Sequence, residues 1–137
     1  MKPLSADTFY YLALLIPGDP AHGRAVAVTE QLKAPIVTTA WVLTELGNAM
    51  ASIGNREVFA SFVDALEKNK SVTIVPPSRS LFVKGMSLYR SRHDKPWSLT
   101  DCISFVVMQQ RNITTALTGD RHFEQAGFSA LLKRRQP

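Results

Sequence analysis

Short β-favouring segments alternate with longer stretches of helical periodicity along the chain. Residues 2–6 predict a first strand ending at Asp7, after which Phe9, Leu12, Ala13 and Ile16 recur at helical spacing until PGDP interrupts them. A second helix is expected after Pro20. APIVTT predicts the second strand, and Trp41, Val42, Glu45, Leu46, Ala49 and Met50 then share neighbouring faces of a helix that IGN punctuates. Phe59, Phe62, Val63 and Leu66 mark another amphipathic helix, and KSVTIVPP predicts a third strand that its prolines end. Ser78 or Ser80 is placed to cap a helix carrying Leu81, Met86, Leu88 and Tyr89, which HDKPW breaks. An apolar helix follows around Asp101, then a fourth strand in ITTALTGD, a short helix in RHFEQAGF stopped by Gly127, and an edge strand in SALLK.

This alternation predicts an α/β fold, with a mainly parallel sheet covered by helices. At 137 residues and 45% hydrophobic side chains, without repeats, low-complexity tracts or a linker, residues 1–137 are expected to form one domain. No apolar run approaches membrane-spanning length, and Asp7 and Asp19 flank the early apolar stretch, unlike a signal peptide. Cys102, the only cysteine, falls in the apolar helix, so no internal disulfide is possible and a reducing cytoplasm is the expected location.

Sixteen Lys and Arg against eleven Asp and Glu leave a formal charge of +5, which suits a polyanionic partner. Two clusters could follow a phosphate backbone: YRSRHDKPW, with Arg90, Arg92 and Lys95, and LLKRRQP, with Lys133, Arg134 and Arg135. A solvated loop and tail would explain them equally well.

Four acids fall where an open parallel sheet binds ligands, outside the carboxyl ends of its strands. Asp7 ends the first strand, Glu45 lies about two turns into the helix after the second, Asp101 opens the long helix, and Asp120 follows the fourth strand. Four clustered negative charges repel unless a cation neutralises them, and all-oxygen ligation points to Mg²⁺ or Mn²⁺. The chemistry suited to such a site is phosphodiester hydrolysis, with Asp7, Glu45 and Asp101 as ligands and Asp120 as a ligand or an orienter of the attacking water. Thr118 is a supporting candidate, able to hydrogen-bond a carboxylate or water beside Asp120. His22, His93 and His122 show no paired ligand spacing with one another or with Cys102 and are expected on surfaces or loops. Each acid also has a bland reading. Asp7 and Asp101 could be helix caps, the latter through the Ser98-x-x-Asp101 capping box, Glu45 a partly exposed helix residue and Asp120 a turn residue after Gly119.

ADTFYYLALL, TTAWVLTELGNAM, DKPWSLTDCISFVVM and ALTGDRHFEQAGF together resemble the PIN domain, particularly VapC-type toxin ribonucleases. SLTDCISF followed by TxDxHFxxAGF is the specific part. The resemblance implies a three-layer α/β/α fold, a Mg²⁺- or Mn²⁺-dependent RNA endonuclease, frequent homodimers and often a small antitoxin. It carries the family's acidic positions onto Asp7, Glu45, Asp101 and Asp120. LSA ahead of Asp7 departs from the bulkier apolar residues common in the family. A PIN-like module that binds RNA or protein without cleaving is the alternative. A receiver-like switch would need a lysine in or after the fourth strand, and a Rossmann or Walker nucleotide site would need its glycine motif; neither is present.

Overall fold

The computed structural model describes residues 1–133; Arg134 and Arg135 of the terminal basic cluster lie outside the described residues. The elements in chain order are β1 (Leu4–Ala6), α1 (Thr8–Leu15), α2 (His22–Gln31), β2 (Ile36–Thr39), α3 (Ala40–Ala49) and α4 (Arg56–Lys68). They continue with β3 (Val72–Val75), α5 (Arg79–Ser91), α6 (Leu99–Gln110), β4 (Thr115–Leu117), α7 (Arg121–Gln125) and β5 (Ser129–Ala130). Every strand expected from the sequence is present, and each is shorter than its β-favouring segment. The cause is local chemistry at the ends. Pro76 and Pro77 cannot extend β3, Asp7 and Thr39 are already helix caps, and Gly119 and Asp120 turn away after β4.

The strands form one sheet in the order β3-β2-β1-β4-β5, and every pairing is parallel. Its register sorts the side chains. Ser5 pairs with Val37 on one side and Ala116 on the other, and Ala6 pairs with Leu117. Successive strand residues point to opposite faces, so these two sets lie on opposite sides of the sheet. Ala6 and Leu117 join a core built from Tyr10, Tyr11 and Ala13 of α1, Ala25 of α2, Val42 and Leu46 of α3 and Leu66 of α4. Val37 and Ala116 join a second core with Leu81, Trp97, Cys102, Phe105, Met108 and Phe123. Helices therefore cover both faces, in three layers. The small LSA residues of β1 belong at the crowded centre: Ser5 and Ala6 are buried between β2 and β4.

Caps fix where the helices begin. The Thr39 side chain accepts from the Val42 amide at 3.1 Å, and Ser78, rather than Ser80, accepts from the Leu81 amide at 3.1 Å. At the other end, Gly127, with φ 95°, closes the turn after α7 in a left-handed conformation that favours glycine. Gly85 lets α5 press against α6, where any Cβ would collide with the Ile103 side chain.

Phe105 is the hub of the second core: fully buried, it meets Trp97, Phe123 and Phe128 at ring-centroid distances of 5.1, 4.9 and 5.6 Å. Phe105→Ala is expected to destabilise the protein by about 3–5 kcal/mol, read as a lowered urea midpoint with an unchanged slope.

Candidate active site

The strand order reverses direction at β1. The chain first builds outward through β2 and β3, then crosses back to place β4 on the other flank of β1. The carboxyl ends of β1 and β4 thus border the crevice where open α/β sheets bind ligands. Asp7 leaves β1 there, its amide donating to the Leu117 carbonyl at 3.3 Å, and Thr118 and Asp120 leave β4 beside it.

Thr118, fully buried, joins the two. Its hydroxyl donates to Asp7 Oδ2 at 3.0 Å, and its Oγ1 accepts from the Asp120 amide at 3.0 Å. At Gly119 between them a Cβ would meet the end of the Phe9 ring and crowd the Leu132 carbonyl, so any other residue would force the Phe9 ring to move. The supporting position read for Thr118 is therefore occupied, with Asp7 as its carboxylate.

Asp7 is 4% exposed and its Oδ1 makes no hydrogen bond. Although Asp7 is the N-cap of α1, its side chain makes no capping bond. Burial, followed by the charge of Asp101, pushes the Asp7 carboxyl up to about 7; Glu45 adds to the rise and the Thr118 hydrogen bond opposes it. An ionised acid buried without full hydrogen bonding and facing further acids is unfavourable by itself, a cost that a proton or a neighbouring cation would remove.

Asp101, also buried, does two things at once. The capping box is real: the Ser98 hydroxyl accepts from the Asp101 amide at 3.0 Å, and Asp101 Oδ2 accepts from the Ser98 amide at 3.3 Å. The same Oδ2 lies 3.2 Å from His122 Nδ1, and burial raises the proton affinity of Asp101, with the hydrogen bond from His122 acting against it and the charge of Asp120 adding to it. Asp120 caps α7 through Oδ1, which accepts from the His122 amide at 2.9 Å, and its Oδ2 lies 3.4 Å from His122 Nδ1. Capping and site geometry are thus compatible here.

One ligand atom each from Asp101, Asp120 and His122 falls within 4.8 Å of the others. Among the described residues this is the only such group. Asp7 and Glu45 stand outside the trio; Asp7 is linked to it by the charge of Asp101 and through Thr118, and Glu45 acts on Asp7. Half-buried Glu45, the sixth residue of α3, registers on Asp7 by charge, more weakly than Asp101 does.

His122 corrects the expectation of a surface or loop histidine, since it is half-buried against two acids of the site. A rule of paired histidine spacing cannot find it. The usable signal is Asp120-x-His122 at a helix start, where cap and second helical residue share one turn. His22 is likewise engaged, its Nδ1 2.8 Å from the Ala13 carbonyl, whereas His93 is exposed.

The described basic residues divide. Arg92 is held by Asp94 at 3.0 and 3.2 Å and lies 4.9 Å over the Trp97 ring, so its guanidinium is already committed. Lys133 pairs with Glu124 at 3.0 Å. Arg90 and Lys95 form no ion pair with any described residue and line a cavity just before α6. A different cavity, about 770 Å³ between α3 and α4, is lined by residues that include Leu43, Gly47 and Phe59 and by none of the four candidate acids.

The PIN domain pattern matches residues 6–129, from the end of β1 to the start of β5. The chain belongs to the PIN domain family. PIN domains are generally nucleases and use divalent metals. The fold of this PIN domain is similar to that of Mycobacterium tuberculosis VapC20, described as a sarcin-ricin loop cleaving toxin. The TM-score is 0.83 at 22% identity, covering 91% of this chain and 95% of that one. It is also similar to the FitAcB structure from Neisseria gonorrhoeae, with TM-score 0.63 and 20% identity over 93% of this chain and 94% of that one. No curated protein matches the chain closely enough to count as a relative. Among the described residues, no helix is long and apolar enough to cross a membrane.

Proposed function

We propose that this PIN domain is a Mg²⁺- or Mn²⁺-dependent endoribonuclease, the toxin of a toxin–antitoxin pair, working in the cytoplasm. The single observation that carries the reading is the buried, half-bonded Asp7 carboxylate facing Asp101, with Asp120 and His122 on its far side. These residues fit a divalent ion. Asp7, Glu45, Asp101 and Asp120 would hold it by oxygen, and His122 adds one nitrogen within reach. When bound, such an ion lowers the pKa of water and stabilises charge on phosphoryl oxygens.

The protein's own part is to hold these groups still. Thr118 fixes the Asp7 rotamer and the Asp120 backbone together, the capping box fixes Asp101, and α7 fixes Asp120 and His122 as a unit. Asp120 and His122, the more exposed pair, face incoming substrate and are placed to orient a water. The net charge of +5 favours a polyanion such as RNA. The similarity of the fold to VapC20, a sarcin-ricin loop cleaving toxin, supports the toxin reading. Exposed Phe82 and Val83 on α5, lining a cavity with Met86, support a homodimer, and residues 1–137 are read as one domain.

The test is cleavage of mixed RNA by purified protein. Product is expected with Mg²⁺ or Mn²⁺, none after EDTA, and recovery when the ion is restored. Cleavage that persists in EDTA contradicts the metal-dependent reading.

A further inference from the structure

A cavity of about 560 Å³ lies immediately ahead of α6, lined by Tyr89, Arg90, His93, Lys95, Pro96 and Trp97. Its makeup is unusual for a solvated loop. Tyr89, on the last turn of α5, leaves half its surface exposed, and neither Arg90 nor Lys95 is held in an ion pair among the described residues, although Asp94 lies close enough to feel the Lys95 charge. We propose that this cavity is a nucleotide subsite for single-stranded RNA, in which a base stacks on Tyr89 while Arg90 and Lys95 take the neighbouring phosphates.

This deepens, and rests on, the RNA-cleaving reading. Aromatic faces stack on any base, and cations beside them follow the backbone, which together make a sequence-tolerant single-strand site. A duplex keeps its bases stacked inward and offers none to Tyr89.

The walls of the cavity are stapled. Trp97 is 5% exposed, donates from Nε1 to Gln125 Oε1 at 3.0 Å and meets Phe105 edge to face at 5.1 Å. Arg92 spends its charge on Asp94 and its plane on Trp97, while its carbonyl accepts from the Lys95 amide at 3.0 Å. Arg92 is therefore scaffold here, and the turn it builds presents Lys95. A site ordered before binding loses less entropy on binding. Position completes the case: Lys95 is six residues before Asp101, at most ~20 Å even along an extended chain, so one strand can reach both cavity and carboxylates.

The experiment uses the full chain carrying Asp101→Asn, in EDTA, and follows a short fluorescein-labelled single-stranded RNA of mixed sequence by anisotropy. Tyr89→Leu is expected to weaken binding roughly tenfold, and Tyr89→Phe to restore it. Arg90→Ala and Lys95→Ala should each flatten the dependence of log affinity on log salt by about 0.7 between about 50 and 200 mM. Thermal midpoints equal to the parent's are expected, because all three side chains lie at the surface. If the parent binds RNA with a salt dependence but Tyr89→Leu binds as tightly, the subsite is overturned while the RNA reading stands. Equal weakening by Leu and Phe also overturns it, as does displacement of the RNA by polyglutamate as effective as that by unlabelled RNA. If the parent binds no RNA, both readings fall.

Discussion

Asp7→Asn is expected to make the metal-free protein more stable at pH 8 and to abolish cleavage. The Asp7 carboxyl is raised from its ordinary 3.8 to about 7, so the folded state disfavours the charged form that the unfolded chain accepts freely. Below pH 4 both states are protonated and nothing is lost. As pH rises from about 4 to 7 the unfolded chain ionises first, and stability falls; above pH 7 the full penalty, up to about 4 kcal/mol, is in place. Asparagine removes the charge and keeps an oxygen for the Thr118 hydroxyl, but it leaves a buried NH₂ group that costs about 1–3 kcal/mol. The balance favours the variant by about 1–3 kcal/mol, several degrees in thermal midpoint at this size. Melting both proteins in EDTA at pH 4 and pH 8 checks it: the variant should gain at pH 8 and lose that advantage at pH 4. Saturating Mg²⁺ should stabilise the parent and leave the variant nearly unmoved. A variant less stable than the parent at pH 8 in EDTA would show that Asp7 is structural.

Asp101→Asn and Ser98→Ala separate the two duties that meet at the start of α6. Asparagine at position 101 keeps an oxygen for the Ser98 amide and leaves its own amide on the Ser98 hydroxyl, so the capping box survives. Stability should change by less than about 1 kcal/mol, whereas cleavage should fall by more than ~100-fold. Even partners that merely orient a metal ligand are worth 10- to 100-fold, and Asp101 is read as a ligand itself. Ser98→Ala removes the cap at a cost of about 1 kcal/mol and should keep most of the activity. Comparable activity losses in the two variants would mean that Asp101 acts through the helix start alone.

The order and type of the elements were legible because their signals are local. VTIV and IVTT are β-branched, Ser78 and Thr39 stand one residue ahead of helical periodicity, and Pro76-Pro77 ends a strand by removing donors. The meeting of Asp7 with Asp120 was legible one level up, since alternating strands and helices put both at the same edge of a parallel sheet. What the sequence hid depends on side-chain direction. The trio of closest ligand atoms takes in His122 and leaves out Asp7 and Glu45, because the Asp120 cap holds the His122 amide while the His122 ring meets Asp101. Arg92 reads as a free cation until the turn to Lys95 folds it onto Asp94 and Trp97. Glu45 falls at the sixth residue of α3, close to two turns in as expected, with Thr39 as the cap.

The central claim is that residues far apart in sequence share one divalent cation at the carboxyl edge of β1 and β4. Crystals grown with Mn²⁺ test it most directly, through the anomalous signal of the ion. The account predicts a strong peak within bonding distance of Asp101 and Asp120, with Asp7 turned toward it. A peak bound away from these carboxylates, or none at saturating Mn²⁺, would contradict it.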